Sequence, residues 1–127
     1  MKIYTTYYEN LPNLPTTITP ISIAGKAPEG LRIGEYKTLA PKWSFFQEWK
    51  KNRDNVYYIQ HFYAEVLNKL NPKKVLHDLT ILSGGKDIAL VCYEKPDEFC
   101  HRHLVAHWLY CCLNIDPIQE WDNKISN

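Results

Sequence analysis

Runs of apolar residues predict four strands along the chain. Residues 3–8 and 18–24 are rich in β-branched and aromatic residues, which is typical of strands. Residues 87–94 form a continuous apolar run, which favours a strand buried on both faces. Residues 118–121 predict a short strand at one edge of the sheet. The first strand ends before residues 10–15, where two prolines cannot donate backbone hydrogen bonds.

Helical spacing of apolar residues predicts helices at residues 42–51, 55–70, 72–82 and 100–113. Residues 25–41 are rich in glycine and proline, and we expect a long ordered loop there. Strands that alternate with helices around a fully apolar strand indicate an α/β fold. We therefore expect residues 1–127 to form a single-domain layered sandwich, in which helices flank a small, mostly parallel sheet of about four strands.

The charge balance and the cysteines narrow the partners and the compartment. The chain carries 15 Lys+Arg and 14 Asp+Glu, which argues against nucleic acid as the main ligand because phosphate binding needs a surplus of cations. No stretch approaches the roughly 20 apolar residues of a membrane helix, so we expect no membrane partner. All four cysteines lie in the last third, and no signal peptide opens the chain. We therefore expect a cytoplasmic protein with free thiols.

Five reactive side chains lie where the strand at 87–94 meets the helix at 100–113. They are Cys92, Glu94, Cys100, His101 and Arg102. In parallel α/β folds, ligands bind beyond the carboxyl ends of the strands, next to the amino ends of the following helices. The amide groups and the dipole of a helix N-terminus attract anions and lower the pKa of a thiol. We therefore predict that these five residues form a catalytic site.

A small anionic ligand is the predicted partner of this site. We expect Arg102 and the amino end of the helix to hold the anion, while Lys26 and Arg32 close over it from the loop at 25–41. Either junction cysteine then acts as a nucleophile, or the carboxylate and the imidazole act as an acid/base pair. The predicted function is a small-molecule enzyme or ligand-binding protein for a nucleotide-like or phosphorylated molecule. No cofactor is predicted.

One alternative is a non-catalytic binding or adaptor module. The cysteines would then be small buried apolar residues, and Arg102 would form an ion pair with Glu94 or Asp97. In that case the cluster at the junction stabilises the fold and has no chemistry of its own.

Another alternative is a metal site. Zinc favours cysteine and histidine ligands, and several of these share one face of the helix at 100–113: Cys100, His103, His107 and Cys111. A single straight helix cannot surround a tetrahedral ion, so Cys92 would have to join them. The sequence alone therefore assigns no metal ligand.

Residues 89–106 resemble the signature of the domain-of-unknown-function 488 family. In that signature an apolar strand ends in Cys-x-Glu, a short acidic loop follows, and Cys-His-Arg opens a helix. Residues 3–5 and 21–24 are similar to the first two strands of the family. The resemblance implies an α/β fold and a site at this junction, and it implies no particular reaction.

The chain departs from the family pattern at two places. Longer members have a helix between the first two strands, where this chain has only residues 10–15. Many members also have an arginine just after the second strand, where this chain has Gly25 and Lys26. A lysine keeps the positive charge at that position but loses the bidentate geometry of a guanidinium.

Overall fold

The structure is a computed structural model that describes residues 1–122. The strands of this region are β1 (Ile3–Tyr7), β2 (Ile18–Ser22), β3 (Gly34–Glu35), β4 (Asp87–Cys92) and β5 (Gln119–Glu120). The α-helices are α1 (Trp43–Asn52), α2 (Asn55–Glu65), α3 (Pro72–Ser83) and α4 (His101–Cys112). Short 3-10 helices cover Tyr8–Asn13, Lys37–Leu39 and Leu67–Lys69. None of these helices has the length and apolar character that crossing a membrane requires.

The strands form one parallel sheet in the order β3-β2-β4-β1-β5. The central strand β4 pairs with β1 on one side and with β2 on the other. Its residues from Ile88 to Cys92 are all buried, as the continuous apolar run predicts. This confirms the α/β fold with a parallel sheet flanked by helices, and it places the carboxyl ends of all strands at one edge.

The hydrophobic core joins the sheet to all four helices. Ile21 and Leu90 from the sheet belong to the same buried cluster as Phe62, Leu79 and Leu109 from the helices. Burial of such large apolar side chains is the main favourable term in folding. Both elements of the junction, β4 and α4, therefore pack into the same hydrophobic core.

Several details of the fold differ from the sequence prediction. The strand predicted at 87–94 ends at Cys92, so Glu94 follows the strand rather than ending it. The loop predicted at 25–41 contains β3, which pairs with Ile21 and Ser22 and raises the strand number to five. The helix predicted at 55–70 ends at Glu65, because Val66 leaves helical geometry at φ −121° and ψ −72°. A 3-10 turn follows, and its apolar residues continue the helical spacing because such a turn also repeats about every three residues.

Candidate functional site at the β4–α4 junction

The strand order places a topological switch point between β2 and β4 at the carboxyl edge of the sheet. The chain leaves β2 for β3 at one side of the sheet, whereas it leaves β4 for β5 at the opposite side. Adjacent strands whose connections diverge in this way open a crevice between their carboxyl ends, and α/β proteins bind ligands there. Here the two diverging connections leave from Ser22 at the end of β2 and from Cys92 at the end of β4.

Cys92 and Cys100 form a disulfide across the junction, with a sulfur–sulfur distance of 2.07 Å. Cys92 is the last residue of β4, and Cys100 is the residue that precedes the first turn of α4. The short connection brings them together, and they are only 1% and 2% exposed. The expectation of free thiols is therefore wrong for this pair. Cys111 and Cys112 are free and exposed.

Arg102 is fully buried and holds the junction together. Its Nε and Nη2 atoms donate to the two carboxylate oxygens of Glu120, at 3.1 and 2.8 Å. Its Nη1 atom donates to the carbonyl oxygen of Glu94 at 2.7 Å and to the sulfur of Cys92 at 3.3 Å. Such a bidentate pair is among the strongest hydrogen-bonded arrangements in proteins. Arg102 is therefore committed to groups of the protein rather than aimed at open solvent.

Glu120 is the residue of this site that sequence reasoning missed. It lies in β5, beside β1, where the hydroxyl of Thr5 donates to one of its carboxylate oxygens at 2.6 Å. The alternatives considered from sequence pair Arg102 with Glu94 or Asp97, and neither carboxylate forms that ion pair within residues 1–122. The available signal was the single carboxylate inside the edge strand predicted at 118–121.

His101 is buried beside the disulfide. Its Nε2 atom lies 2.8 Å from the carbonyl oxygen of Ile23. A carbonyl only accepts hydrogen bonds, so Nε2 carries the proton of the neutral ring. Nδ1 is then an acceptor and lies 3.9 Å from the sulfur of Cys100. Burial lowers the pKa of His101 to about 4, and the nearby Arg102 contributes to that shift.

Glu94 contributes its backbone rather than its carboxylate to Arg102. Its carbonyl oxygen accepts the hydrogen bond from that residue. Burial raises the pKa of its side chain, while the positive charge of Arg102 acts in the opposite direction. Glu94 therefore brings a half-buried acid to the edge of the site.

The two basic residues predicted from the loop differ in their placement. Lys26 is exposed, and its backbone carbonyl accepts a hydrogen bond from the hydroxyl of Tyr93, the residue after β4. This contact joins the loop after β2 to the junction. Arg32 is exposed, and it forms no hydrogen bond or ion pair with the junction in the described part of the chain. The backbone of Lys26 therefore contacts the site. Arg32 forms no such contact in the described part of the chain.

Tyr8 packs against the disulfide and in turn contacts Ser22 and Tyr93. Tyr8 packs against the small cluster formed by Ala24 and the two cysteines. Its hydroxyl shares a hydrogen bond with Ser22, and its ring meets that of Tyr93 edge-on at 4.6 Å between centroids. Burial raises the pKa of Tyr8 to about 12, so this hydroxyl is neutral at physiological pH. Tyr8 directly follows β1, and Ser22 is the last residue of β2, so both lie at the carboxyl edge of the sheet. This position was the signal that the sequence offered for them.

The donor atoms of Cys92, Cys100 and His101 lie within 4.8 Å of one another. Within residues 1–122, this is the group that could hold a metal ion. The helical face considered from sequence contributes only Cys100 to it. His107 and Cys111 instead form a separate exposed pair, with 3.4 Å between Nε2 and Sγ.

Two cavities border the site without opening onto its sulfur atoms. One, of about 670 Å³, is mostly apolar and runs past Tyr8, Pro20 and Leu31. Another, of about 260 Å³, is lined in part by His103 and Glu120.

An α/β fold in which Cys92 ends a strand, Glu94 lies two residues beyond it and Cys100 precedes a helix that begins with His-Arg defines a class of protein rather than a reaction. The family model DUF488-N3a, described as the active DUF488-N3 subclade, matches residues 3–111. The chain therefore belongs to the DUF488 family. The matched range runs from β1 to the penultimate residue of α4, so Glu120 lies beyond it. Neither the search of the curated proteins nor that of the solved structures finds a match.

Proposed function

We propose that this protein is a small-molecule enzyme whose reactive group is the thiol of Cys92. The observation that carries the proposal is the hydrogen bond from the buried guanidinium of Arg102 to the sulfur of Cys92. The description of the matched subclade as active also favours an enzyme over an adaptor module. In this proposal the disulfide with Cys100 is the resting form, and reduction releases the reactive thiol.

The surroundings of Arg102 support this role electrostatically. A guanidinium next to a thiol favours the thiolate and lowers the thiol's pKa, whereas burial raises it. The carboxylate of Glu120 binds the Nε/Nη2 edge of the guanidinium, and Nη1 donates to the carbonyl oxygen of Glu94 and to the sulfur of Cys92. Arg102 therefore acts on Cys92 as a positioning residue, and its hydrogen bonds leave little capacity for a ligand.

The substrate class in this proposal is a phosphorylated or nucleotide-like anion. Because Arg102 is engaged, the amino end of α4 and the exposed Lys26 and Arg32 of the loop after β2 are the groups that would bind it. His101 and Glu94 would serve as the acid/base pair, since one is a buried neutral imidazole and the other is a half-buried acid. The hydrogen bond from Tyr93 to the backbone of Lys26 supports this arrangement, because it joins the loop after β2 to the junction.

The test is a thiolate titration of the reduced protein, followed by ultraviolet absorbance. We expect one thiolate to persist near pH 6.5, well below the free value of about 8.5, and to disappear in Cys92→Ser. Cys111→Ser is the matched control and should leave that titration unchanged. Inorganic phosphate should slow alkylation of Cys92, and Lys26→Gln should weaken this protection. A Cys92 thiol that titrates at the free value, without protection by phosphate, would indicate a structural cluster in a non-catalytic module.

A zinc site is the second candidate, because Cys92, Cys100 and His101 offer donor atoms within 4.8 Å. The hydrogen bond from His101 to Ile23 fixes the ring so that Nδ1 faces the sulfurs, as outer-shell partners of metal-binding histidines do. Three protein ligands would leave the fourth position open for a substrate or water.

Metal analysis of the reduced protein separates the two candidates. If the protein is a thiol enzyme, we expect a zinc content far below one ion per chain. We also expect the protein to stay folded in the presence of a chelator. Zinc at about one per chain, lost in Cys100→Ser but kept in Cys111→Ser, would contradict the thiol-enzyme proposal and support the zinc site. The His107–Cys111 pair is a suitable control because it has the same two residue types on the same helix.

A further inference from the structure

We propose that Cys92 and Cys100 form a reversible redox pair that reduces a small peroxide. This inference rests on the proposed reactivity of Cys92 and adds a second substrate class and a role for Cys100. The structure pairs these two sulfurs in a disulfide, whereas Cys111 and Cys112 are free. The pairing is therefore specific to the junction, where a guanidinium and an imidazole lie beside the two sulfurs.

In the first step the thiolate of Cys92 attacks one oxygen of the peroxide. A sulfur–oxygen bond forms and the oxygen–oxygen bond breaks, so Cys92 becomes a sulfenic acid while the peroxide leaves as an alcohol or as water. The proton lost by the thiol ends on the leaving oxygen. Arg102 donates to the Cys92 sulfur at 3.3 Å, so it stabilises the thiolate that begins this step.

In the second step the thiol of Cys100 attacks the sulfenic sulfur of Cys92. A disulfide bond forms and the sulfur–oxygen bond of the sulfenic acid breaks. The hydroxyl group and the proton of the Cys100 thiol leave together as water. His101 suits the transfer of this proton, because its Nδ1 atom is an acceptor 3.9 Å from the Cys100 sulfur. The product is the disulfide present in the structure. Two equivalents of an external thiol, or one dithiol, restore both cysteines and become oxidised themselves.

The packing around the sulfurs favours a small oxidant. Cys92 and Cys100 are almost completely buried, and Tyr8 packs directly on their cluster. Tyr93 contacts Tyr8 and is itself 52% exposed, so it lies toward the solvent. A molecule the size of hydrogen peroxide or a short alkyl hydroperoxide needs little displacement of these rings. Replacing Tyr93 with alanine is expected to admit bulkier hydroperoxides.

The experiment adds one equivalent of hydrogen peroxide to the fully reduced protein and follows the products by mass spectrometry. We expect free thiols to fall from four to two per chain, with the new disulfide between Cys92 and Cys100. The Cys92 thiol should react about tenfold faster than the exposed Cys111 thiol. In Cys100→Ser a sulfenic acid should accumulate on Cys92 and be trapped by dimedone. A thiol reductant should return the wild-type protein to four free thiols.

Cys111→Ser is the matched control and should oxidise as the wild-type protein does. Oxidation of Cys111 or Cys112 ahead of Cys92 would overturn the inference, as would a Cys100→Ser variant without dimedone labelling. A Cys92 thiol that is alkylated quickly and protected by phosphate, yet is inert to peroxide, would overturn only this inference. A Cys92 thiol with the pKa of a free cysteine would instead contradict the proposed function on which this inference rests. The two failures are therefore distinguishable.

Discussion

Replacing Glu120 with alanine is expected to lower the free energy of unfolding by about 3–5 kcal/mol, which is typical when one partner of a buried ion pair is removed. The carboxylate is the only anionic partner of the Arg102 guanidinium within residues 1–122, and that guanidinium is fully buried. Without Glu120 the positive charge remains in the interior unpaired. Urea unfolding of the wild type and the variant measures the difference.

Gln119→Ala is the control for the Glu120 substitution, because Gln119 is the exposed neighbour in the same short strand. We expect a change within about 0.5 kcal/mol for that control. A double variant in which Arg102 becomes Met and Glu120 becomes Leu should recover part of the lost stability, since it removes both charges. If Glu120→Ala is as stable as Gln119→Ala, the ion pair contributes nothing to folding and the description of Arg102 as a committed residue is wrong.

The sequence predicts the parts of the fold that follow from local patterns. The continuous apolar run predicts β4 as a central strand, and the helix after it predicts a junction at the carboxyl edge. Cys92, Cys100, His101 and Arg102 do lie together there. These residues are close in sequence, so one strand–helix connection is enough to bring them together.

The features that sequence did not predict depend on distant parts of the chain. Strand β3 has only two residues, Gly34 and Glu35, which pair with β2, so no local run of apolar residues marks it. Glu120 reaches Arg102 only because β5 pairs with β1, a contact between opposite ends of the chain. The covering of the sulfurs by Tyr8 likewise depends on the arrangement of β1 beside β4. Local spacing carries no information about such pairings.

Arg102 illustrates how this affects the site. From sequence it looks like a ligand-binding cation, because it lies in the first turn of a helix after a strand. In the structure its donors are occupied by Glu120, Glu94 and Cys92. The distant carboxylate thus changes its proposed role, from contact with an anion to the positioning of a thiol.

Protein stability should fall by about 3 kcal/mol between pH 7 and pH 4 because of His101 alone. Burial lowers the pKa of this residue from 6.5 to about 4. The unfolded chain therefore binds a proton on His101 more readily than the folded protein does. The contribution of His101 to stability is complete above pH 6.5 and decreases as the pH falls toward about 4.

Other groups near His101 also titrate, so its effect is measured as a difference between variants. Burial lowers the pKa of His103, so His103 also contributes less stability as the pH falls. Burial raises the pKa of Glu94, so Glu94 contributes more stability as the pH falls.

His101→Gln keeps an amide that can donate to Ile23 but removes the titrating ring. Its unfolding free energy between pH 7 and pH 4 should therefore decline less than that of the wild type, by about 3 kcal/mol. His77→Gln, at an exposed histidine, should follow the wild-type profile. If His101→Gln also follows the wild-type profile, His101 does not enter the folded protein as a neutral buried ring, and its role as the acceptor beside Cys100 fails with it.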